Sequence, residues 1–194
     1  IGLIKLDPDS QLVWEYQGRC HHDLFVDAQG LIYVLARDNV PSTLYGREIL
    51  EDFVVVLSPH GEELQKISLV QAFANSRYAE LARSAPAIAD VFHANTIELL
   101  DNRLAERLPM FRRGSLLVSL RNIDTIAVLD PERSTITWAL TGMWRRQHQP
   151  TVLDNGRILL FDNSGFDGKS QILELDPATQ EIAWRYRGTA EAPF

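Results

Sequence analysis

Short runs of alternating apolar and polar residues, each broken by a turn, recur along the whole chain. Alternation with a period of two is typical of half-buried β-strands. In four places the two strands flank a turn that begins with Asp-Pro or Ser-Pro, in which proline presets the second turn position and Asp or Ser caps the turn. These four predicted hairpins are IKLDPDSQLVWEYQG from Ile4, VVLSPHGEELQKISL from Val55, AVLDPERSTITWALTG from Ala127 and LELDPATQEIAWRYRG from Leu173.

Three further segments lie between these hairpins, and each begins with a histidine. They are HDLFVDAQGLIYVL from His22, HANTIELLDN from His93 with its continuation GSLLVSL from Gly114, and HQPTVLDNGRILLF from His148. Each predicts two apolar strands joined by a polar turn, so each segment and the hairpin after it form a four-stranded antiparallel meander. Repeated meanders of this kind are the blades of a β-propeller. The predicted fold class is therefore all-β, a β-propeller of four-stranded antiparallel blades.

The spacing of the repeats defines the predicted domain organisation. The leucines that open the four turns are separated by 51, 72 and 46 residues, against about 45 for a typical blade. The longest interval contains a predicted helical insertion, which Pro86 should end, and a basic insertion. Closed propellers generally have about four to eight blades, so we interpret the chain as a single propeller segment, a partial arc of a larger ring. Its predicted parts are a closing hairpin (1–18), blades at 19–69, 91–142 and 147–188, the helical insertion (70–90) and the basic insertion (Arg103–Gly114).

Three tryptophans, Trp14, Trp138 and Trp184, follow the turns at the same repeat position. A tryptophan buries a large apolar area. We therefore expect all three to pack between neighbouring sheets rather than to contact a ligand.

Composition narrows the possible functions. The 194 residues are 45% hydrophobic and 23% charged, with a net charge of −7, which is ordinary for a globular protein and argues against a general nucleic-acid binder. No apolar run of about 18 residues predicts a membrane span. Cys20 is the only cysteine, so neither an intrachain disulfide nor a cysteine-rich metal site is expected.

The register of the repeat predicts where the histidines point. Equivalent positions on the inner strands of a propeller face one axial zone, so His22, His93 and His148 are expected to converge at the central channel. His21 is one residue out of register, and strand alternation predicts that it faces the other way. His60 lies in a turn and should be exposed.

An arginine joins these histidines. Arg121 and Asn122 interrupt two apolar strands, and we expect Arg121 to point into the channel beside His93. Imidazoles together with a guanidinium suit a tetrahedral oxyanion. Three histidines can also hold zinc or copper, but a neighbouring arginine repels a cation, so no metal is predicted.

At these residues the chain resembles the bacterial arylsulfate sulfotransferases that do not use a nucleotide sulfate donor. The resemblance implies a six-bladed propeller with its active site in the central channel, and a ping-pong transfer of a sulfuryl group from an aryl sulfate to a phenol. It also implies an extracytoplasmic, for example periplasmic, location. The matching pieces are HHDL (21–24), DVFHANTIELLD (90–101), SLLVSLRNIDTIAVLD (115–130), QHQPTVLDNGRILLFDN (147–163) and SQILELDPATQEIAWRY (170–186).

The resemblance implies a role for each candidate residue. His148 would be the nucleophile that carries a sulfohistidine intermediate, and His93 and Arg121 would bind the sulfonate oxygens. His22 would act at the phenolic oxygen as an acid or a charge stabiliser. The asparagines of the two matching motifs, Asn95 and Asn122, would help to bind the substrate. No cofactor, nucleotide or metal is implied.

Two other classes of propeller remain open at this stage. A non-catalytic propeller that binds a protein, peptide or glycan would need only the hairpin repeats, and its histidines would lie far apart or face solvent. A quinoprotein-like propeller would need a set of calcium ligands, and the sequence shows no clear Asn, Asp and Glu set of that kind.

Overall fold

The computed structural model describes residues 2–100, 108, 111–189 and 191. Within these residues the chain forms four antiparallel sheets and two short helices, which confirms the predicted all-β propeller fold with a short helical insertion. The strands are β1 (Leu3–Leu6), β2 (Leu12–Tyr16), β3 (Cys20–Val26), β4 (Ile32–Ser42), β5 (Arg47–Leu57), β6 (Glu63–Ser68), β7 (Ala94–Leu99), β8 (Leu116–Leu120), β9 (Thr125–Asp130), β10 (Thr135–Thr141), β11 (His148–Val152), β12 (Ile158–Asp162), β13 (Gln171–Asp176) and β14 (Glu181–Tyr186).

Each four-stranded sheet is a meander in which consecutive strands pair as antiparallel neighbours. Blade 1 contains β3 to β6, blade 2 contains β7 to β10, and blade 3 contains β11 to β14, while β1 and β2 form a separate hairpin. Polar turns set the strand boundaries. In the first turn of blade 1, Asp27 Oδ1 accepts hydrogen bonds from the backbone N–H groups of Gln29 and Leu31, both at 2.9 Å. Gly30 completes that turn with a φ of 81°, a conformation that glycine adopts without steric cost.

The insertion between blades 1 and 2 contains two helices, α1 (Leu69–Ala74) and α2 (Ala79–Arg83). Ser68 caps α1 by accepting a 2.9 Å hydrogen bond from the Gln71 N–H, and α2 ends before Pro86, as expected. Helix α1 contacts β5, β6 and β10 and so packs between the two blades. Among the described residues no helix is both long and apolar enough to cross a membrane. Most of the basic insertion Arg103–Gly114 lies outside the described residues.

Three clusters of buried apolar side chains fill the spaces between successive sheets. Trp138 packs in this way, with 3% of its surface exposed and its ring 5.2 Å from that of Phe111. Trp14 is partly buried against blade 1, where its indole N–H donates a 3.1 Å hydrogen bond to the Pro59 carbonyl. The expectation for Trp184 is wrong. It is 48% exposed, because no other strand of the described residues covers that face of β14.

Polar side chains join the inner strands of successive blades. Asp23 on β3 accepts a 3.0 Å hydrogen bond from the Ile97 N–H on β7. Glu98 on β7 accepts a 3.1 Å bond from the Val152 N–H on β11. The inner strand of each sheet has an unpaired edge, so these contacts satisfy backbone donors and set the offset between blades.

Gln147 is the most heavily bonded of these connecting residues. Its side chain is fully buried, and Nε2 donates to Ser119 Oγ at 3.0 Å and to the Thr125 carbonyl at 2.8 Å. Its own carbonyl accepts a 2.8 Å hydrogen bond from Asn95 Nδ2. Gln147 therefore ties the start of β11, and with it His148, to blade 2.

Replacing Gln147 by leucine, which has a similar volume, should lower the free energy of unfolding by about 1–3 kcal/mol, because buried acceptors of blade 2 lose their donor. Urea denaturation measures this change. Gln29→Leu, in an exposed turn, is the matched control and should stay within about 0.5 kcal/mol of wild type. Equal stability of the two variants would show that the Gln147 contacts do not hold blades 2 and 3 together.

Candidate active site

The inner strands are irregular where the candidate residues lie. The pairing register shifts in β3 between Cys20 and Leu24, in β7 between Ala94 and Thr96, and in β11 between His148 and Thr151. His22 and His93 both have a left-handed backbone, with φ of 54° and 53°, and histidine is one of the few non-glycine residues enriched there. Bulges redirect side chains relative to a regular strand. The irregular backbone therefore decides where these imidazoles point.

His22 and His93 lie in direct contact, with ring centroids 4.9 Å apart and an interplanar angle of 72°. The pKa of His22 is lowered, first by partial burial and then by the charges of His21, His93, Arg37 and His148. The charges of imidazoles and a guanidinium from three blades thus all act on the His22 imidazole. The lowered pKa favours the neutral form of the His22 imidazole.

The expectation that His21 faces away from His22 is wrong. The two Nδ1 atoms lie 2.7 Å apart, and the ring centroids are 5.0 Å apart at 86°. The left-handed φ of His22 and the bulge around it break the alternation on which the expectation depended. On its other side, His21 Nε2 lies 3.2 Å from Asp52 Oδ1 on β5.

His93 is paired with a carboxylate that follows the helical insertion. Its Nδ1 lies 2.5 Å from Asp90 Oδ2. Burial by itself would raise the pKa of Asp90, but the hydrogen bond and charge of His93, with the charges of Arg37 and His21, hold that pKa below its usual value. A parallel bridge between Leu50 and Asp90 fixes this segment against β5.

His148 has one ring nitrogen committed to the backbone. Its Nδ1 lies 3.0 Å from the Arg146 carbonyl oxygen. A carbonyl only accepts hydrogen bonds, so Nδ1 carries the hydrogen and neutral His148 keeps its lone pair on Nε2. Arg146 is held in place because its N–H donates a 2.7 Å hydrogen bond to Asp124 Oδ1.

Arg121 and Asn122 lie in a 3₁₀ turn (Arg121–Ile123) directly after β8. One Arg121 Nη donates a 2.9 Å hydrogen bond to Asn122 Oδ1, and Asn122 Nδ2 donates a 2.7 Å bond to the Asp90 carbonyl. The Arg121 backbone N–H also donates to the His93 carbonyl at 3.2 Å. The structure thus ties the guanidinium to the segment that carries Asp90 and His93.

Arg37 is the counterpart of Arg121 in blade 1, and sequence reasoning missed it. Both arginines donate their backbone N–H to the segment leading into an inner strand, Arg37 to the Arg19 carbonyl at 3.1 Å and Arg121 to that of His93 at 3.2 Å. The signal was present, because VLARDN of blade 1 aligns with VSLRNI of blade 2. Arg121 begins a turn after its strand, whereas Arg37 lies inside β4, which continues to Ser42. The two arginines therefore do not share an obvious position at a strand end.

Asn95, predicted to bind substrate, is 5% exposed. Its Nδ2 donates a hydrogen bond to the Gln147 carbonyl, and its Oδ1 accepts a 3.2 Å hydrogen bond from Thr96 Oγ1. In this structure Asn95 positions the residue before His148, and a direct contact with substrate remains a prediction. Within the described residues, no group of three or more His, Cys, Asp or Glu side chains is arranged to hold a metal ion.

A comparison with protein families supports the resemblance that these residues indicated. The family model for Arylsulfotransferase (ASST) matches residues 2–193. The chain belongs to the arylsulfotransferase family. The resemblance drawn from the histidine and arginine motifs is therefore confirmed. No curated protein matches the chain significantly.

The solved structures found to be similar to this arylsulfotransferase-family chain have low sequence identity to it. A Bacteroides caccae protein of unknown function is 13% identical, with a TM-score of 0.59 over 95% of this chain and 53% of its own length. The WD40 β-propeller domain of Doa1 is 8% identical (TM-score 0.47, 91% of this chain, 56% of its own). The Dos1 propeller is 11% identical (TM-score 0.45, 97% and 53%). The chain spans about half the length of these structures.

The lowered pKa of His22 gives a pH-dependent prediction. Because the folded pKa lies below the unfolded value of about 6.5, the unfolded chain binds the proton first as the pH falls. The contribution of His22 to stability is therefore complete above about pH 6.5 and is lost as the pH falls through the folded pKa. Denaturation between pH 7.5 and 5 should show a smaller loss of stability in His22→Asn than in wild type.

Asparagine is chosen because it tolerates the left-handed backbone of this position. His60→Asn is the control, since His60 is exposed in a turn, and its pH dependence should match wild type. A His22→Asn variant as acid-sensitive as wild type would contradict the pKa assignment.

Proposed function

We propose that this member of the arylsulfotransferase family transfers a sulfuryl group from an aryl sulfate to a phenol, with His148 as the nucleophile. The observation that carries the proposal is the contact between His148 Nδ1 and the Arg146 carbonyl at 3.0 Å. It leaves Nε2 as the lone-pair nitrogen of an imidazole whose charge acts on His22, and this is the form that a nucleophilic histidine needs.

In the first half-reaction His148 Nε2 attacks the sulfur of the aryl sulfate. The new N–S bond forms as the bond between sulfur and the aryl oxygen breaks, and that oxygen leaves with the bonding electron pair. His22, in its protonated form at Nε2, gives the departing oxygen a proton. The products are a phenol and sulfohistidine at position 148.

In the second half-reaction the oxygen of an acceptor phenol attacks the same sulfur. The S–N bond breaks, its electron pair returns to His148 Nε2, and His22 takes up the phenolic proton. Both half-reactions pass through a sulfuryl group whose three oxygens share negative charge, and Arg121 and His93 would bind them. Asn122 supports this role by holding the Arg121 guanidinium at 2.9 Å.

The geometry favours this function over the two alternatives. A propeller that only binds a protein or glycan was expected to have separated histidines, whereas His22 and His93 have ring centroids 4.9 Å apart. The quinoprotein-like alternative has no support from the family match. The general assignment to aryl sulfotransfer rests on family membership, and the sulfohistidine route rests on the environment of His148.

His148→Ala should abolish the reaction while the protein remains folded. The assay incubates the full-length protein with 4-nitrophenyl sulfate, with and without phenol, and follows both released nitrophenol and the intact mass. Wild type should show a mass increment of one SO₃ group that phenol removes. His148→Ala should show no adduct and transfer lowered by at least roughly 10³-fold.

His60→Ala, in an exposed turn, is the matched control and should form the adduct at the wild-type rate. Retention of adduct and transfer in His148→Ala would refute the assignment of the nucleophile. A folded wild type that forms no adduct and releases no phenol would instead favour a binding propeller.

Arg121→Lys tests the sulfonate-binding role. Lysine keeps the positive charge but loses the planar fork that Asn122 orients, so kcat/KM for the aryl sulfate should fall by roughly 10–10²-fold. The exposed Arg133, on a different turn, gives the control Arg133→Lys, which should retain wild-type kinetics. Unchanged kcat/KM in Arg121→Lys would place the sulfonate elsewhere.

A further inference from the structure

A second histidine and a buried carboxylate stand directly behind His22. His21 and Asp52 have side chains that are 9% and 2% exposed. His21 Nδ1 lies 2.7 Å from His22 Nδ1, and His21 Nε2 lies at ion-pair distance, 3.2 Å, from Asp52 Oδ1. The sulfuryl-transfer scheme uses neither side chain, although both are removed from water at some cost in desolvation.

We propose that Asp52 and His21 are positioning residues that fix the hydrogen on His22 and relay its proton during sulfuryl transfer. This inference rests on the proposed function and adds to it the two residues that let His22 act as acid and then as base.

The hydrogen-bonding chemistry sets the direction of the relay. The other Asp52 oxygen, Oδ2, accepts a 3.1 Å hydrogen bond from the Ala94 N–H on β7, which leaves Oδ1 for His21. His21 Nε2 makes no hydrogen bond of good geometry within the described residues, and the Asp52 carboxylate charge 3.2 Å away favours a hydrogen on that nitrogen. Neutral His21 then has its lone pair on Nδ1, so His22 must donate from its own Nδ1. In this arrangement, which the relay assigns to the sulfohistidine stage, His22 Nε2 is left with a lone pair for an incoming phenol.

The proton balance of the two half-reactions follows from this arrangement. When an acceptor phenol attacks sulfohistidine, its proton moves to His22 Nε2 and the Nδ1 hydrogen of His22 moves to His21 Nδ1. The resulting His21 imidazolium is balanced by Asp52. When the next aryl sulfate reacts, His22 Nε2 gives its proton to the departing oxygen and the Nδ1 hydrogen returns. One proton is stored between half-reactions, and no further reactant is needed.

Charged groups from every neighbouring element face this relay. Arg37 on β4 and His148 on β11 lower the pKa of His22. His93, from the segment before β7, contacts the His22 ring and pairs with Asp90. Arg37 pairs directly with Asp52 in the β4–β5 ladder. The cationic groups disfavour a second proton on His22, whereas His21 has a carboxylate partner.

Asp52→Asn is the test variant because it is nearly isosteric and its amide oxygen can still accept from the Ala94 N–H. Its amide nitrogen would donate to His21 Nε2, so His21 would carry its hydrogen on Nδ1 and donate to His22 Nδ1. His22 would then hold a hydrogen on Nε2 and could no longer accept a proton there. With no carboxylate to balance a His21 imidazolium, no extra proton would be stored to replace the one that His22 gives to a departing phenolate. An asparagine at the carboxylate of a catalytic triad similarly imposes the wrong histidine tautomer.

The first readout is the protonation of His21 Nε2, measured by two-bond ¹H–¹⁵N NMR on the full-length protein. Wild type should show a protonated Nε2, and Asp52→Asn an unprotonated one. The second readout is transfer from aryl sulfates whose phenols differ in acidity. Asp52→Asn and His21→Gln should lose about 10²–10⁴-fold with weakly acidic leaving phenols but under about 10-fold with 4-nitrophenyl sulfate, because nitrophenolate needs little protonation to leave.

Asp130→Asn, a buried carboxylate in a turn of blade 2, and His60→Gln are the matched controls and should keep the wild-type dependence on leaving-group acidity. Thermal melting verifies that each variant is folded. A His21 Nε2 in the same state in wild type and Asp52→Asn, or an unchanged leaving-group dependence, would overturn the relay. If wild type forms no adduct, the proposed function fails, and the NMR result alone decides whether Asp52 sets the hydrogen on His21.

Discussion

The structure depends on hydrogen-bond partners for the backbone N–H groups at the inner edge of each blade. A four-stranded meander leaves the backbone donors of its innermost strand without a partner in its own sheet. Here the side chains of one inner strand accept hydrogen bonds from the next, as Asp23 does from Ile97 and Glu98 from Val152. Apolar packing alone permits neighbouring sheets to slide, whereas these directional bonds fix their offset. The side chains at the ends of the inner strands are therefore held at definite distances across three blades.

The same strands carry the backbone irregularities that assemble the site. Left-handed residues and bulges near the amino ends of β3 and β7 turn His22 and His93 toward each other. Strained backbone of this kind persists when surrounding contacts determine it, and it is frequent at functional sites. Here the surrounding contacts are buried. Asp52 reaches from β5 to the start of β7, and Gln147 reaches from the start of β11 into blade 2.

Each of two site histidines has its own carboxylate, and the two pairs differ in their surroundings. Asp90 lies in a half-exposed segment after the helical insertion and contacts His93 directly. Asp52 is almost fully buried and contacts His21, which in turn contacts His22. In the proposed function the first pair would border the substrate, and the second would stand behind it. This division separates groups suited to binding an anion from groups suited to moving a proton.

Much of this organisation could be predicted from the sequence, because it follows from local patterns. Strand alternation, Asp-Pro and Ser-Pro turns and the spacing of the repeat predicted the propeller fold, and the motifs around His93, Arg121 and His148 indicated the family. Two predictions were wrong because the tertiary structure differs from what the local pattern alone would produce. Strand alternation placed His21 on the wrong face, because the alternation of apolar and polar residues does not reveal a β-bulge. The repeat position of Trp184 predicted burial, but burial needs a neighbouring sheet.

The sequence by itself therefore determined the blades and indicated the candidate residues of the site, since turn chemistry and side-chain period act over a few neighbours in the chain. Only the tertiary structure decided which of those residues meet. The charge of Arg37 acts on His22 and Asp90, and Asp52 and Asp90 pair with different histidines. The ring nitrogen that remains free on His148 was likewise decided by one backbone carbonyl, whose position depends on how blade 3 begins.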